Sequence, residues 1–265
     1  MKFNRRLLVA AAVAAFAGFS GPVYADGTIK FGVAAEPYAP FTVKDASGKW
    51  TGWEVDLMDA VCAKMNEKCE IVETAWAGII PALTAKQIDV IWSSMSITDE
   101  RKQTIDFSNM YYNTPSMIMG AKNGDMDISP AHLAGKALGV QVSTTHQKYA
   151  EKYFAAASTI KSYQTQEEAN QDLFSGRLDY VQADSAALDA FLAGESGKSC
   201  CEAKGMVPED IAVLGEGAGA GIRKEDTALK EKINAAIGAL AADGTIQKIT
   251  EKYPDLNGKL ILPKS

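Results

Sequence analysis

Residues 89 to 101 run Asp89-Val90-Ile91-Trp92-Ser93-Ser94-Met95-Ser96-Ile97-Thr98-Asp99-Glu100-Arg101, and their order sets the architecture. Asp89 to Trp92 reads as a buried strand, and the hydroxyl-rich stretch after it leads to a helix start. In an α/β sheet the ligand crevice opens at the carboxyl ends of the strands. Hydroxyls and free N–H groups at a helix start favour an anion there. Arg101 adds a planar fork that grips a carboxylate with two hydrogen bonds. The same residues also suit a plain capping motif, with Ser96 or Thr98 as N-cap and a solvated Arg101. Capping and anion binding use the same N–H groups, so both can hold.

The neighbouring segments repeat the strand-to-helix rhythm. In Thr28 to Val33, Ile29, Phe31 and Val33 alternate as on a half-buried strand. Glu54 to Met65 places Val55, Met58, Val61, Cys62 and Met65 on one helical face. A strand at Glu70 to Glu73 and a helix at Ile79 to Lys86 precede the opening stretch. Beyond it, strands are expected at Ala137 to Val142, Thr159 to Tyr163 and Tyr180 to Ala183. Helices are expected at Thr145 to Ala155, Gln166 to Ser175, Ser185 to Leu192 and Asp226 to Ala242. This alternation argues an α/β protein with largely parallel sheets.

Two such series, on either side of Phe107 to Lys122, imply two lobes joined by extended crossing strands. The return crossing falls near Ile211 to Lys224, with glycines at 215, 217, 219 and 221. A dinucleotide loop would follow an early strand and open a helix. These glycines lie late and run into a strand-like segment, so a hinge or close-packed crossing is the better reading. Ser143-Thr144-Thr145-His146 again opens a helix after a strand. Asp184 ends Tyr180 to Ala183, as partner for an ammonium or as N-cap of the next helix. An arginine in one lobe and an aspartate in the other suit a zwitterion, an α-amino acid, in a cleft that closes on it.

The chain has 265 residues, 47% hydrophobic and 23% charged, as expected of a globular protein rather than a disordered one. Its net charge is −6. Lys2, Arg5 and Arg6 are the only charges in residues 1–25; without them the net charge is −9. That balance argues against nucleic acid and anionic lipid as partners. A basic start, an apolar run from Leu7 to Phe19 and Val23-Tyr24-Ala25 before Asp26 read as a signal peptide of residues 1–25. Export fits a disulfide between Cys62 and Cys69. Cys200 and Cys201 are left open between a vicinal bridge, other pairing and free thiols. His132 and His146 do not stand at ligand spacing, so no metal site is expected.

Three motifs carry a family resemblance: Gly52-Trp53-Glu54-Val55-Asp56-Leu57, Ser93 to Thr98 with Arg101, and Ile105-Asp106-Phe107-Ser108. They resemble those of the periplasmic polar-amino-acid-binding proteins of ABC importers, and the likeness runs over essentially the whole mature chain. Trp53 stands where members usually carry Phe, Tyr, Ile or Leu. The spacing of Cys62 and Cys69 is similar to the disulfide of lysine/arginine/ornithine, histidine and opine binders. The resemblance implies a type II two-lobed fold, with residues 26–114 and 215–265 in one lobe and 115–214 in the other. It implies that Arg101, with the N–H groups of Ser96 and Thr145, holds an α-carboxylate. Asp184, helped by Ser94 and Ser96, would hold the α-ammonium. Tyr38 and Trp76 would sandwich the side chain, with Ser93, Gln141 and His146 lining the rest. Cationic-ligand binders carry an acid where this chain has Ala35, and Glu36 is the nearest replacement.

The expectation is therefore a monomeric periplasmic receptor, without cofactor or metal, that binds a polar or cationic amino acid or an opine. It would deliver that ligand to an ABC permease. Exported dehydratases of the same fold supply an enzymatic alternative, with His146, Glu36 and Asp184 as candidate acid or base. A sensing domain for a signalling partner is a further alternative.

Overall fold

The computed structural model describes residues 27–256 and 258–264. The signal peptide read at residues 1–25 lies outside them. In chain order the strands are β1 (Ile29–Ala34), β2 (Val43–Lys44), β3 (Trp50–Thr51), β4 (Cys69–Thr74), β5 (Val90–Ile91) and β6 (Asp106–Tyr112). They continue with β7 (Ser116–Ala121), β8 (Ala137–Gln141), β9 (Thr159–Tyr163), β10 (Tyr180–Asp184), β11 (Cys201–Met206) and β12 (Ala218–Ile222). One five-stranded sheet has the order β4-β1-β5-β12-β6 and the other β11-β7-β10-β8-β9, giving the two-lobed α/β architecture. The sheets are mixed. In each, one strand opposes its neighbours: β12 between β5 and β6, and β7 between β11 and β10. Both reversed strands come directly after the chain has crossed from the other sheet, at residues 113–115 and 215–217.

Being central explains β1. It pairs with β4 on one side and β5 on the other, and Ile29, Phe31, Val33 and Ala34 are all buried. The alternation in its sequence suggested a half-buried strand, but helices cover both faces of this sheet. On one face lie α1 (Trp53–Met65), α9 (Thr227–Ala242) and α10 (Thr245–Glu251); on the other lies α2 (Ile79–Thr84). The unusual Trp53 is fully buried in α1 and donates its indole N–H to Thr250 Oγ1 at 2.9 Å. The second sheet is covered by α5 (Gln166–Phe174) and α6 (Ser185–Ala193) on one face and by α4 (Thr145–Tyr153) on the other.

The glycine-rich return strand is a close-packed crossing. A Cβ on Gly219 would sit 2.7 Å from Ile97 Cδ1, and Gly217 has φ +105°. A two-stranded hairpin of β2 and β3 stands apart from the main sheets. Cys62 of α1 is bridged to Cys69 of β4, as the spacing suggested. Cys200 and Cys201 form a vicinal disulfide between α7 (Glu195–Cys200) and β11. Among the described residues no helix is long and apolar enough to cross a membrane.

Candidate functional site

The carboxyl ends of strands from both sheets converge on one cleft. Ala34 ends β1, Ser93 and Ser94 follow β5, Gln141 ends β8 and Asp184 ends β10, and all five residues line the same cavity. Arg101 lies in the first turn of α3 (Asp99–Thr104). Thr98 caps that helix, its hydroxyl accepting from Arg101 N at 3.2 Å, and Arg101 turns back into the cleft rather than out to solvent. Its Nη1 donates to Ser96 O at 2.9 Å and its Nη2 to Ser143 O of the facing lobe at 3.1 Å. The guanidinium lies 5.5 Å from the Trp76 ring centroid. Burial pulls its pKa down to about 10, with Glu100 and Asp184 opposing, so it remains a cation at neutral pH.

Two residues lining the same cavity, Ser96 and Thr145, have backbone N–H groups that secondary structure leaves free. Ser96 opposes Ala218 in a bridge whose bonds run from Ile97 N to Gly217 O and from Gly219 N to Met95 O. That pattern leaves the Ser96 N–H outside the ladder. Thr145 is the first residue of α4, whose N–H is unpaired by the helix itself. Thr144 caps α4 by accepting from Gln147 N at 3.1 Å. The hydroxyls of Ser96 and Thr145 stand 3.5 Å apart across the cleft.

Asp184 occupies the N-cap position of α6 but makes no side-chain capping bond. Its Oδ2 accepts from the Tyr38 hydroxyl at 2.6 Å, and His146 Nε2 lies 3.5 Å from Oδ1. His146 is anchored on its other nitrogen, Nδ1, 3.0 Å from Ser116 Oγ. Burial, then the charge of Asp184, raises the Tyr38 pKa well above its ordinary value, so the phenol stays a donor. Trp76 donates its indole N–H to Val142 O at 3.1 Å across the lobes. Glu36 lines the cavity, half-buried, and its Oε2 accepts from Trp76 N at 3.3 Å. Ser93 Oγ accepts from Ala34 N at 3.0 Å, and Gln141 Nε2 donates to Gln164 O at 3.1 Å. The cavity wall thus brings together all eleven residues named from the sequence: Arg101, Ser96, Thr145, Asp184, Ser94, Ser93, Tyr38, Trp76, Gln141, His146 and Glu36. Gln166 joins them unforeseen; its Nε2 donates to Asn170 Oδ1 at 2.9 Å.

One further residue had no assigned role. Glu54, in the first turn of α1, is fully buried and accepts from Ser94 N at 2.7 Å, Ser94 Oγ at 2.9 Å and Tyr111 OH at 2.5 Å. Burial raises its pKa, against the opposing pull of those donors. Ser94 itself has φ +52°. Among the described residues no cluster of side chains could hold a metal ion.

A cavity at the strands' carboxyl ends, walled by two helix-flanked sheets, defines a two-lobed binding-protein fold of type II. The family model for bacterial extracellular solute-binding proteins, family 3, matches residues 29–255. The chain is 42% identical over 231 residues to the L-arginine-binding protein of Pseudomonas aeruginosa, covering 86% of this chain and 88% of that one. It is 38% identical over 231 residues to the histidine-binding periplasmic protein of Salmonella typhimurium, covering 86% and 88%. Among solved structures it is similar to an ancestral amino-acid-binding protein described as a precursor of cyclohexadienyl dehydratase. That match has a TM-score of 0.75, 33% identity, and covers 86% of this chain and 95% of the other. The chain belongs to the bacterial extracellular solute-binding proteins of family 3.

Proposed function

We propose that this protein is a periplasmic receptor that closes over a cationic L-amino acid and presents it to the permease of an ABC importer. One observation carries the reading: Arg101 and Asp184 bring opposite charges to one cavity from opposite lobes, and neither is paired with a Lys, Arg, Asp or Glu among the described residues. The α-carboxylate lies on the Arg101 fork and the N–H groups of Ser96 and Thr145. The α-ammonium lies on Asp184 and Ser94. Binding energy then favours the closed lobes, and the permease distinguishes loaded from empty receptor. The lobes divide as residues 26–114 with 215–265, and 115–214, which follows sheet membership. A signal peptide and bridged cysteines support export.

Glu36 sets the charge class. With Arg101 and Asp184 engaged by the ligand's own charges, Glu36 is the remaining carboxylate on the wall, and it accepts from the neutral backbone amide of Trp76. A carboxylate taken from water without a counter-ion is costly, so a basic side chain is favoured. Glu36 thus takes the place of the acid missing at Ala35. No reaction is assigned, because opposite charges from the two lobes account for the cavity as a zwitterion site.

Calorimetry on protein freed of carried-over ligand by unfolding and refolding tests the reading, with the twenty amino acids, ornithine and opines as titrants. The expected result is tight one-to-one binding of arginine, lysine, ornithine or histidine, weakened selectively by Glu36→Gln. A neutral ligand bound tightly, and unaffected by Glu36→Gln, would remove the charge assignment. Silence across the panel would remove the amino-acid reading.

A further inference from the structure

Gln141 ends β8 in one lobe, Glu36 follows β1 in the other, and Trp76 joins them. The Trp76 backbone N–H donates to Glu36 Oε2 at 3.3 Å, and its indole N–H donates at 3.1 Å to Val142 O, beside Gln141. These contacts put Glu36 and Gln141 at one end of the cavity. Gln141 Nε2 donates to Gln164 O at 3.1 Å. A backbone carbonyl only accepts, so the orientation of this carboxamide is fixed and its Oε1 is turned the other way. Gln141 is 9% exposed and lines the ligand cavity. Among the described residues no donor meets its Oε1, yet, unlike Gln182 Oε1, that oxygen is not sealed from solvent. It therefore opens into the cavity. Gln166 gives its Nε2 to Asn170 Oδ1 at 2.9 Å, but two amides can reverse together without losing their bond, whereas Gln141 cannot.

This end of the cavity thus meets a ligand side chain with acceptors from both lobes, the Glu36 carboxylate and the Gln141 oxygen. A guanidinium offers five N–H donors in one plane and no acceptor. Those donors spread along the edges of the plane, towards acceptors on separate elements, and the plane itself stacks on an aromatic wall such as Trp76. An ammonium gathers its donors on one strongly hydrated atom. A neutral imidazole turns an acceptor nitrogen towards one of the two oxygens. We propose that Gln141 is a specificity-determining residue whose fixed amide oxygen, together with Glu36, selects a guanidinium side chain from among the cationic amino acids. This rests on the reading of Glu36 as the counter-ion of a basic side chain.

The probes are L-arginine, L-lysine and L-citrulline, the last an isostere of arginine in which a urea oxygen replaces one terminal nitrogen. Calorimetry on the wild type should find arginine bound most tightly of the three. Gln141→Met keeps the length of the side chain and removes its acceptor. It should weaken arginine by about tenfold to a hundredfold, the range for one hydrogen bond to a charged group. Lysine and citrulline should lose much less, so the ratio of each to arginine narrows about tenfold. A general loosening of the site would weaken all three alike and leave the ratios where they were. A ratio of arginine to lysine, or of arginine to citrulline, that stays within about threefold of its wild-type value overturns the inference. Gln141→Asn, which draws the same oxygen back by one methylene, is read in the same way if Gln141→Met does not fold. The wild type separates this from the parent reading. Lysine, ornithine or histidine bound more tightly than arginine leaves Glu36 as the counter-ion and removes the role of Gln141. If no basic amino acid binds, or if Glu36→Gln changes the binding of none of them, the parent reading falls and takes this one with it.

Discussion

Two arginines at opposite ends of the same sheet are held in opposite ways. Arg223 follows β12 at the end away from the cleft, with its side chain 6% exposed. Its Nη1 donates to Leu83 O at 3.1 Å and Ile88 O at 2.6 Å, while Asp89 lies at 2.9 Å and Asp226 at 2.6 Å. Arg101, at the cleft, is met by Ser96 O and Ser143 O and, among the described residues, by no carboxylate within ion-pair distance. Their pKa values move apart accordingly. Burial lowers both, but Asp89 and Asp226 more than offset it for Arg223, which ends up raised, while Arg101 is left at about 10. A cation whose counter-ions come from the chain serves the fold. A cation held by carbonyls and an aromatic ring, without a carboxylate, costs stability until a ligand supplies the anion.

The comparison can be broken most forcefully at Arg223. Arg223→Ala leaves Asp89 and Asp226 clustered without their cation and should cost about 3–5 kcal/mol in denaturant unfolding. Ligand affinity of the folded fraction should stay within about threefold of wild type, since the site lies at the sheet's other end. Arg101→Ala should do the reverse. Loss of a charged, bidentate partner is expected to weaken amino-acid binding by about a hundredfold or more. Unfolding of the ligand-free variant should show no loss of stability, because removing the guanidinium also removes its burial cost. An Arg101→Ala protein that is markedly less stable without ligand would mean that both arginines are structural. Asp89→Asn is a finer test: the amide still accepts from Arg223 but loses its charge, so about 1–2 kcal/mol of stability should go with no change in affinity.

The same contrast explains what could be read without coordinates. Arg101, Ser94 and Ser96 were legible because a strand, a loop and a helix start follow one another within thirteen residues, and local rules place their N–H groups. Asp184 was ambiguous because an aspartate before a helix is an ordinary N-cap; its turn towards Tyr38 depends on a residue 146 positions away. The contact of Glu54 with Ser94 was invisible for the same reason, since the two are 40 positions apart. β12 was only half legible. Its Ala-Gly-Ala-Gly-Ile sequence has low strand propensity, but Ile97 and Ile91 press against its glycines and leave no room for side chains. Packing, not propensity, makes it a strand.

Tyr38→Phe probes the anionic half of the pair at the smallest scale. The change removes the hydroxyl that donates to Asp184 at 2.6 Å but keeps the ring, which stacks on Phe41 with centroids 5.9 Å apart. If Asp184 is held in position by neutral donors, as Arg101 is by neutral acceptors, the carboxylate loses one of the groups that aim it. A single hydrogen bond to a charged group bounds the effect at about 1.5–3 kcal/mol, and His146 remains beside Oδ1 to limit it. Affinity should therefore fall about fivefold to thirtyfold while the thermal midpoint of the ligand-free protein hardly moves. If the midpoint falls and affinity does not, the Tyr38–Asp184 contact is a lobe-to-lobe fastener, and Asp184 belongs with Arg223 among the charges that serve the fold.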